Sequence, residues 1–161
     1  MKRLLALLLV FGVTLALPAA DETAEAAVVA MSLEDLAQGS DAIFAGQVIS
    51  KSSEWTANGA MINTRFTVLV TSTLKGALPE QVTVMVPGGD LDGIKIRNAE
   101  APNFEVGERV YVFGKYDAEA EEYKTFGWFQ GKYTVLNGMV RELNGVNQDQ
   151  FHSQIIAIVN N

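Results

Sequence analysis

The sequence predicts a mainly β domain, built as a small closed or partly closed antiparallel barrel of five or six strands with a helix at each end. Apolar and polar residues alternate along several short segments, which turn residues separate. Apolar residues recur at helical spacing only near residue 33 and at the C-terminus. No strand-helix-strand order is present, so a parallel sheet is not expected. A β-sandwich is the competing architecture, because periodicity does not separate the two.

Helical signals occur in two places. The first segment starts at Ser32, an N-cap hydroxyl, with Asp35 three positions later and Gly39 to end it, which predicts a short N-terminal helix. The second follows Asn147 or Asp149 as N-cap, and its apolar residues share one face: Phe151, Ile155, Ile158 and Val159. That spacing predicts an amphipathic C-terminal helix that covers one end or face of the sheet.

Strand signals fill the chain between these helices. A glycine inside the first strand, Gly46, predicts a bend, and Asn137-Gly138 predicts a tight hairpin turn. Residues 55–59 are expected to form a turn, residues 90–104 a long loop with one small strand, and the acidic residues 117–122 a solvated hairpin tip. The predicted strands cover residues 42–48, 61–69, 81–86, 109–113 and 123–129, with a last hairpin at 133–140.

The N-terminus has the pattern of an export signal. Two cations in residues 1–3 precede an apolar run over residues 4–17, and small residues follow it. A membrane anchor is the alternative, but the run is shorter than the about 20 apolar residues that a span needs. The sequence therefore predicts a secreted or periplasmic protein with no stable membrane span after cleavage. The predicted divisions are a signal peptide over 1–20, a flexible segment over 21–31 and a single domain over 32–161.

Composition excludes several kinds of site. The 161 residues include no cysteine, so a disulfide framework, a cysteine-zinc site and a thiol nucleophile are excluded. The single histidine, His152, excludes a site built on a histidine pair. Lys and Arg number 12 against 19 Asp and Glu, a net charge of -7. That balance argues against a nucleic-acid partner, because lysine and arginine supply most of the affinity for phosphates.

Catalytic signals are weak. His152 lies in the predicted C-terminal helix, and the chain contains no Gly-x-Ser-x-Gly elbow. Many carboxylates, including Glu119, Glu121 and Glu122, are expected in polar turns where nothing would raise their pKa. Gly88-Gly89 lacks the spacing of a phosphate-binding loop. We therefore predict a protein that is not an enzyme and has no cofactor, with a carboxylate-based hydrolase as a minor alternative.

Four residues are candidates for a binding surface: Trp55, Asp90, Asp92 and Trp128. At least one tryptophan is expected to be exposed as an anchor for a protein partner or a sugar ring. Trp55 is predicted in a polar turn, whereas Trp128 lies in an apolar run. Asp90 and Asp92 match the start of a calcium loop, but the later ligands are missing, so we predict no metal site. A turn rich in Asp and Gly explains the same residues.

Several blocks, in order, resemble a group of small exported bacterial proteins of unassigned function. Some of those proteins are similar to sequences near or within matrixin-type metalloproteases. The resemblance spans about residues 32 to 136, and its blocks are residues 40–48, 62–68, Leu74-Lys75-Gly76, Val86-Pro87-Gly88-Gly89, 102–110 and Gln130-Gly131-Lys132-Tyr133.

The strand-strand-Lys-Gly arrangement also resembles, at the level of the fold, the netrin-like domain of the tissue inhibitors of metalloproteinases. That resemblance implies an OB-fold barrel and a non-catalytic binding module, with a secreted metalloprotease as the most specific protein partner. Those inhibitors approach the catalytic zinc with an N-terminal cysteine, which this chain lacks, so no inhibitory residue is transferred. The alternative function is an extracellular carbohydrate-binding module.

Overall fold

A computed structural model describes residues 29–161. The predicted signal peptide and most of the predicted flexible segment lie outside the described residues. The elements in chain order are α1 (Leu33–Gly39), β1 (Ala42–Trp55), β2 (Ile62–Lys75), β3 (Gln81–Pro87), β4 (Gly89–Leu91), β5 (Ile94–Ile96), β6 (Arg109–Asp117), β7 (Glu122–Thr125), a 3-10 helix (Trp128–Gly131), β8 (Lys132–Leu136), β9 (Met139–Val140) and α2 (Gln148–Val159).

The prediction of a mainly β protein is confirmed. Seven strands form one sheet in the order β1-β2-β3-β7-β6-β8-β9, and β1 also pairs with β6. The pairings therefore make a ring through five strands, β1-β2-β3-β7-β6. Strands β4 and β5 form a separate hairpin, which lies within the region predicted as a long loop with one small strand.

The expectation of wholly antiparallel pairing is wrong at one junction. Strands β3 and β7 are parallel, and only Val84 and Tyr123 are aligned between them. The reason is parity, since strand direction alternates at each antiparallel pairing and a ring with an odd number of strands cannot alternate all the way round. The one parallel pairing of the ring is also its shortest, between β3 and β7.

Both predicted helices are present. Ser32 caps α1, accepting a hydrogen bond from the Asp35 amide at 3.0 Å, and the Asp35 side chain accepts one from the Ser32 amide at 3.0 Å. This reciprocal pair is the predicted capping box. Asn147 caps α2 through the Gln150 amide at 2.8 Å. Phe151 is fully buried on the inner face of α2.

Two hydrophobic clusters lie on opposite faces of the sheet, and β6 contributes to both. Val110 and Val112 point to one face and Tyr111 and Phe113 to the other, as the alternation predicts. The first pair joins a cluster between the ring strands that includes Phe44, Phe66, Val68 and Val84. The second pair joins a cluster that the helices cover, with Leu36, Phe151 and Ile155. The two helices therefore bury the outer face of the ring beside β6.

Gly46 marks a bend in β1, as predicted. The pairing of β1 with β2 shifts register between Ala45 and Gly46, which is typical of a β-bulge. A Cβ atom at Gly46 would lie 2.5 Å from the carbonyl oxygen of Leu69. Glycine is needed there because the two backbones approach too closely for any side chain.

Several strand boundaries differ from the predictions, and β2 and β6 extend beyond their predicted ends to Lys75 and Asp117. Strand β1 continues through the polar residues 50–54 to Trp55, which pairs with Ile62, so the prediction that Trp55 lies in a turn is wrong. The strand predicted over 123–129 ends at Thr125. Strand β1 is longer than predicted because its long pairing with β2 outweighs the poor alternation of residues 50–54. Strand β7 is shorter because Gly127, in the left-handed region at φ 72°, turns the chain into the 3-10 helix.

Two lysines, Lys75 and Lys132, connect separate parts of the fold through hydrogen bonds and an ion pair. The ammonium group of Lys75 donates to the carbonyl oxygens of Ala37 at 2.8 Å and Ser40 at 2.7 Å, at the C-terminal end of α1, where a positive charge is favourable. Lys132 is buried and donates to Glu108 at 2.9 Å and to the carbonyl of Asn103 at 2.7 Å. The contacts of Lys75 hold α1 against the sheet, and those of Lys132 hold the loop before β6 against it.

Replacement of the buried lysine tests this account. Lys132→Met should lower the free energy of unfolding by about 3 kcal/mol, because the largely buried carboxylate of Glu108 loses its charged partner. Adding Glu108→Gln should restore part of that loss. Urea denaturation measures both variants, with Arg141→Met as the control, since Arg141 belongs to an exposed pair with Glu142. Equal losses in Lys132→Met and Arg141→Met would contradict a structural role for the buried pair.

The contacts of Asp41, the residue before β1, make the stability of the fold depend on pH. The ammonium group of Lys115, 2.8 Å away, and the amide of Tyr116 lower the pKa of Asp41 below its ordinary value of 3.8. A lowered folded-state pKa contributes stability that is complete above the unfolded value and is lost as pH falls through the folded one. Asp41→Asn should therefore melt at a lower temperature than wild type near neutral pH, and this difference should shrink below about pH 4. Thermal melts across this range check the result, and a difference that does not change with pH would contradict it.

Candidate binding surfaces

An open cleft of about 850 Å³ lies beside the parallel junction of the ring. We call it the Trp128 cleft, and its apolar side chains are those of Val29, Met31, Met85, Pro87, Pro102, Phe126 and Trp128. It forms where β3 and β7 separate after Val84 and Tyr123. Because β7 ends two residues later, at Thr125, the edge of β3 that continues to Pro87 borders an opening rather than a neighbouring strand.

The turn after β7 presents aromatic side chains to solvent. Gly127 and Trp128 both have left-handed backbones, with φ of 72° and 59°. A Cβ atom on Gly127 would lie 2.8 Å from a methyl carbon of Leu36, so this turn requires glycine both for its conformation and for its close packing. The turn leaves Trp128 47% and Phe129 48% exposed. Exposed rings of this size are common anchors in protein interfaces.

Residues 29–31 of the chain itself form one side of the Trp128 cleft. The side-chain amide of Gln130 accepts a hydrogen bond from the Met31 amide at 2.8 Å and donates one to the carbonyl oxygen of Val29 at 3.0 Å. The side chain thus binds the donor and the acceptor of a backbone two residues apart. Gln130 therefore holds the main chain of residues 29–31 against one side of the cleft.

The two lysines at the rim of the cleft are held in pairs, whereas Glu100, which also lines it, forms no ion pair within residues 29–161. Lys115 bonds to Asp41, and Lys124 bonds to Asp117, each at 2.8 Å. The Lys124 ammonium and the amide of Ala120 lower the pKa of Asp117. Since both lysines have carboxylate partners, the cleft offers mainly apolar contact.

A second pocket, of about 440 Å³, lies at one end of the ring. We call it the glycine-loop pocket, after the loop that includes Gly88 and Gly89. Its charged and polar lining consists of Lys51, Thr64, Asp90, Lys95, Arg97, Asn98 and Asn103. Phe66 and Phe104, whose ring centres are 5.2 Å apart, form its floor. The two pockets share Pro87 and Pro102, so they flank the same part of the surface.

The four predicted binding residues are not brought into one site. Trp128 lines the Trp128 cleft, and Asp90 lines the glycine-loop pocket, whereas Trp55 and Asp92 line neither of these two. Trp55, at the end of β1, is partly buried. The sequence pattern thus identified one residue in each pocket and no complete surface.

Asp92 and Gly93 form the two-residue turn of the β4–β5 hairpin, with φ of 53° and 77°. Asp-Gly is a favoured pair for such a turn. The carboxylate of Asp90 pairs with Lys95 at 3.5 Å. Within residues 29–161 there is no group of three or more His, Cys, Asp or Glu residues placed to hold a metal ion.

Two ionisable groups have surroundings that the sequence did not predict. Glu122 was expected in a solvated tip, but its side chain is only 5% exposed and pairs with Arg65. This expectation is wrong because the side chain of Arg65 on β2 reaches across β3 to the start of β7 and replaces water as the partner of Glu122. His152 lies with Nδ1 3.3 Å from the hydroxyl of Tyr111, whose pKa is raised by burial.

Gln130 and Lys51 are site residues that sequence reasoning missed. Gln130 belongs to a block that carries the bacterial resemblance, but a lone glutamine gives no signal of peptide binding. Lys51 lies beyond the predicted end of the first strand, and only the pairing of β1 with β2 shows which face it occupies.

Comparisons with known proteins add no relative. No protein-family model matches the chain, and no curated protein matches it. The similarity to exported bacterial proteins and to the netrin-like domain therefore stays a prediction. No helix among residues 29–161 is long and apolar enough to cross a membrane.

The different surroundings of the two tryptophans can be measured by fluorescence. Acrylamide should quench Trp55→Phe, which keeps the exposed Trp128, with a larger Stern–Volmer constant than Trp128→Phe, which keeps the partly buried Trp55. The two single-tryptophan proteins serve as controls for each other. Equal constants would contradict the position of Trp128 at the rim of the cleft.

Proposed function

We propose that this protein is an exported, non-catalytic binding module that recognises an extended peptide segment of a protein partner through the Trp128 cleft. The observation that carries the proposal is the double hydrogen bond of Gln130 to Val29 and Met31. These bonds hold the main chain of residues 29–31 along an apolar opening at the edge of a sheet, beside which a partner peptide would bind. Extended peptides are commonly bound in this way, with the backbone supplying hydrogen bonds and pockets selecting side chains.

The chemistry of the cleft suits apolar side chains. The rings of Phe126 and Trp128, the side chains of Met31 and Met85 and two prolines provide contact area. Methionine side chains adapt to partners of different shape. We therefore expect a peptide with one or two large apolar residues, of which one covers the indole of Trp128.

For the partner we propose a secreted metalloprotease of the matrixin class, and for the fold an OB-like barrel. The support is the resemblance of several sequence blocks, together with the ring. In chain order its strands follow the path first-second-third-fifth-fourth and back to the first, which suits the five-stranded Greek-key barrel of an OB-fold. A zinc-binding N-terminal cysteine is absent from the sequence, so any inhibition would arise from the cleft occupying a segment of the protease.

The test uses the full chain, expressed with its leader and purified after export. Immobilised protein is incubated with a matrixin-class protease, and both capture and residual protease activity are measured. Trp128→Ala should weaken capture by at least about tenfold, because truncation of an aromatic anchor at the centre of an interface typically costs about 2 kcal/mol or more.

Phe129→Ala is the matched control. Phe129 is as exposed as Trp128 but does not line the cleft, so its replacement should change capture by less than about twofold. If wild type neither captures nor inhibits the protease at micromolar concentration, the proposed partner is wrong. If the two alanine variants weaken capture equally, the proposed cleft is wrong.

The exposed indole of Trp128 also favours a second candidate, an extracellular carbohydrate-binding module. A sugar ring could stack on this face of the indole. In that case Trp128→Ala would abolish retention on a neutral polysaccharide column, whereas Trp55→Ala would not. Retention that is insensitive to Trp128→Ala would exclude this site for glycans.

A further inference from the structure

The glycine-loop pocket opens at an end of the ring where the inner face of the sheet changes from apolar to charged. Lys51 in β1 pairs directly with Phe66 in β2, and side chains of directly paired residues leave the sheet on the same face. Phe66 is only 4% exposed and belongs to the cluster between the ring strands. Lys51 therefore extends from the inner face, over the end of the hydrophobic cluster, and is not an ordinary outward-facing lysine.

Hydroxyl groups and the glycine loop continue this polar end. Thr64 is buried, and its hydroxyl donates to the carbonyl oxygen of Gly88 at 2.7 Å and lies 3.0 Å from the hydroxyl of Ser53. A Cβ atom on Gly89 would lie 2.2 Å from the Thr64 hydroxyl oxygen. The loop is thus fixed directly over the strands, so the wall of the pocket is built before any ligand arrives.

The charge of the pocket is opposite to that of the chain. Lys51, Lys95 and Arg97 line it together with one carboxylate, Asp90, which already pairs with Lys95. In the part of the chain that the structure describes, neither Lys51 nor Arg97 forms an ion pair with a carboxylate. The whole protein has a net charge of -7. Two cations without ion-pair partners at one concave site in an acidic protein indicate a ligand with negative charge.

We propose that the glycine-loop pocket is a second binding site, separate from the Trp128 cleft, for an acidic oligosaccharide whose sugar rings carry carboxylates. Lys51 and Arg97 would bind a carboxylate, the arginine through its planar fork. The side chains of Asn98 and Asn103, which also line the pocket, offer partners for sugar hydroxyls. The volume of about 440 Å³ is in the range of small-ligand sites and larger than a simple oxyanion needs. This proposal does not depend on the protein partner of the cleft.

Isothermal titration of the full exported chain tests the proposal with three probes: a galacturonic acid trimer, its methyl ester and inorganic phosphate. The acid trimer should bind, and the methyl ester should bind at least about tenfold more weakly, because it keeps the hydroxyls but loses the charges. Affinity for the acid should fall as salt is raised. If the ester binds as well as the acid, or if the acid shows no binding at millimolar concentration, the proposal is wrong. If phosphate binds as tightly as the trimer, the pocket is a general anion site and the assignment to sugars is wrong.

The variant Lys51→Gln/Arg97→Gln should lose at least about tenfold in affinity for the acid trimer. Its control is Arg109→Gln/Arg141→Gln, which removes the same charge at two residues that do not line the pocket, and which should bind as wild type does. Thermal melts of both variants show that they fold. Equal losses in the two variants would mean that net charge alone attracts the sugar, which would overturn the site. Binding of the metalloprotease by Lys51→Gln/Arg97→Gln should stay unchanged, so the two proposals fail separately.

Discussion

Strand β1 is paired along both edges, and the rest of the structure depends on this double pairing. Its first half pairs with β2 on one side and with β6 on the other, so strands distant in sequence meet around one cluster. The ring closes at β1, which requires the sheet to curve, and the register shift at Gly46 bends β1 where a side chain would clash with the backbone of β2. Asp41 fixes the start of β1 to β6 through Lys115 and the amide of Tyr116.

The sequence was sufficient for most elements with strong local patterns. Short-range chemistry determines four of these: the capping box at Ser32, the Asn137-Gly138 hairpin, the helix after Asn147 and the alternation of β2, β3 and β6. The second half of β1 was missed because residues 50–54 are polar on both faces, and its order comes from pairing with β2. The parallel step between β3 and β7 was also missed, since it follows from closure of the ring and leaves no local trace.

Candidate site residues were harder to predict than strands. Residue type identifies Trp128 and Asp90, but the two lie in different pockets. The polar residues around Trp55 predict a turn, whereas Trp55 lies at the end of a strand. Lys51 and Gln130 have ordinary positions in the sequence, and only pairing and hydrogen bonds give them a role. The blocks that carry the bacterial resemblance contain Thr64, Lys75, Glu108 and Lys132, whose contacts hold the fold together.

The junction between β3 and β7 makes resistance to deformation uneven around the ring. Four of its five pairings are antiparallel and extend over several residues, whereas the fifth aligns one pair, Val84 and Tyr123. Widening the molecule at that junction breaks far less main-chain bonding than widening it elsewhere. Breathing motions should concentrate beside the Trp128 cleft, and slow amide exchange should be found in β1, β2 and β6. A larger ligand in the Trp128 cleft would then be accommodated by displacement of β7, with the other strands of the ring unchanged.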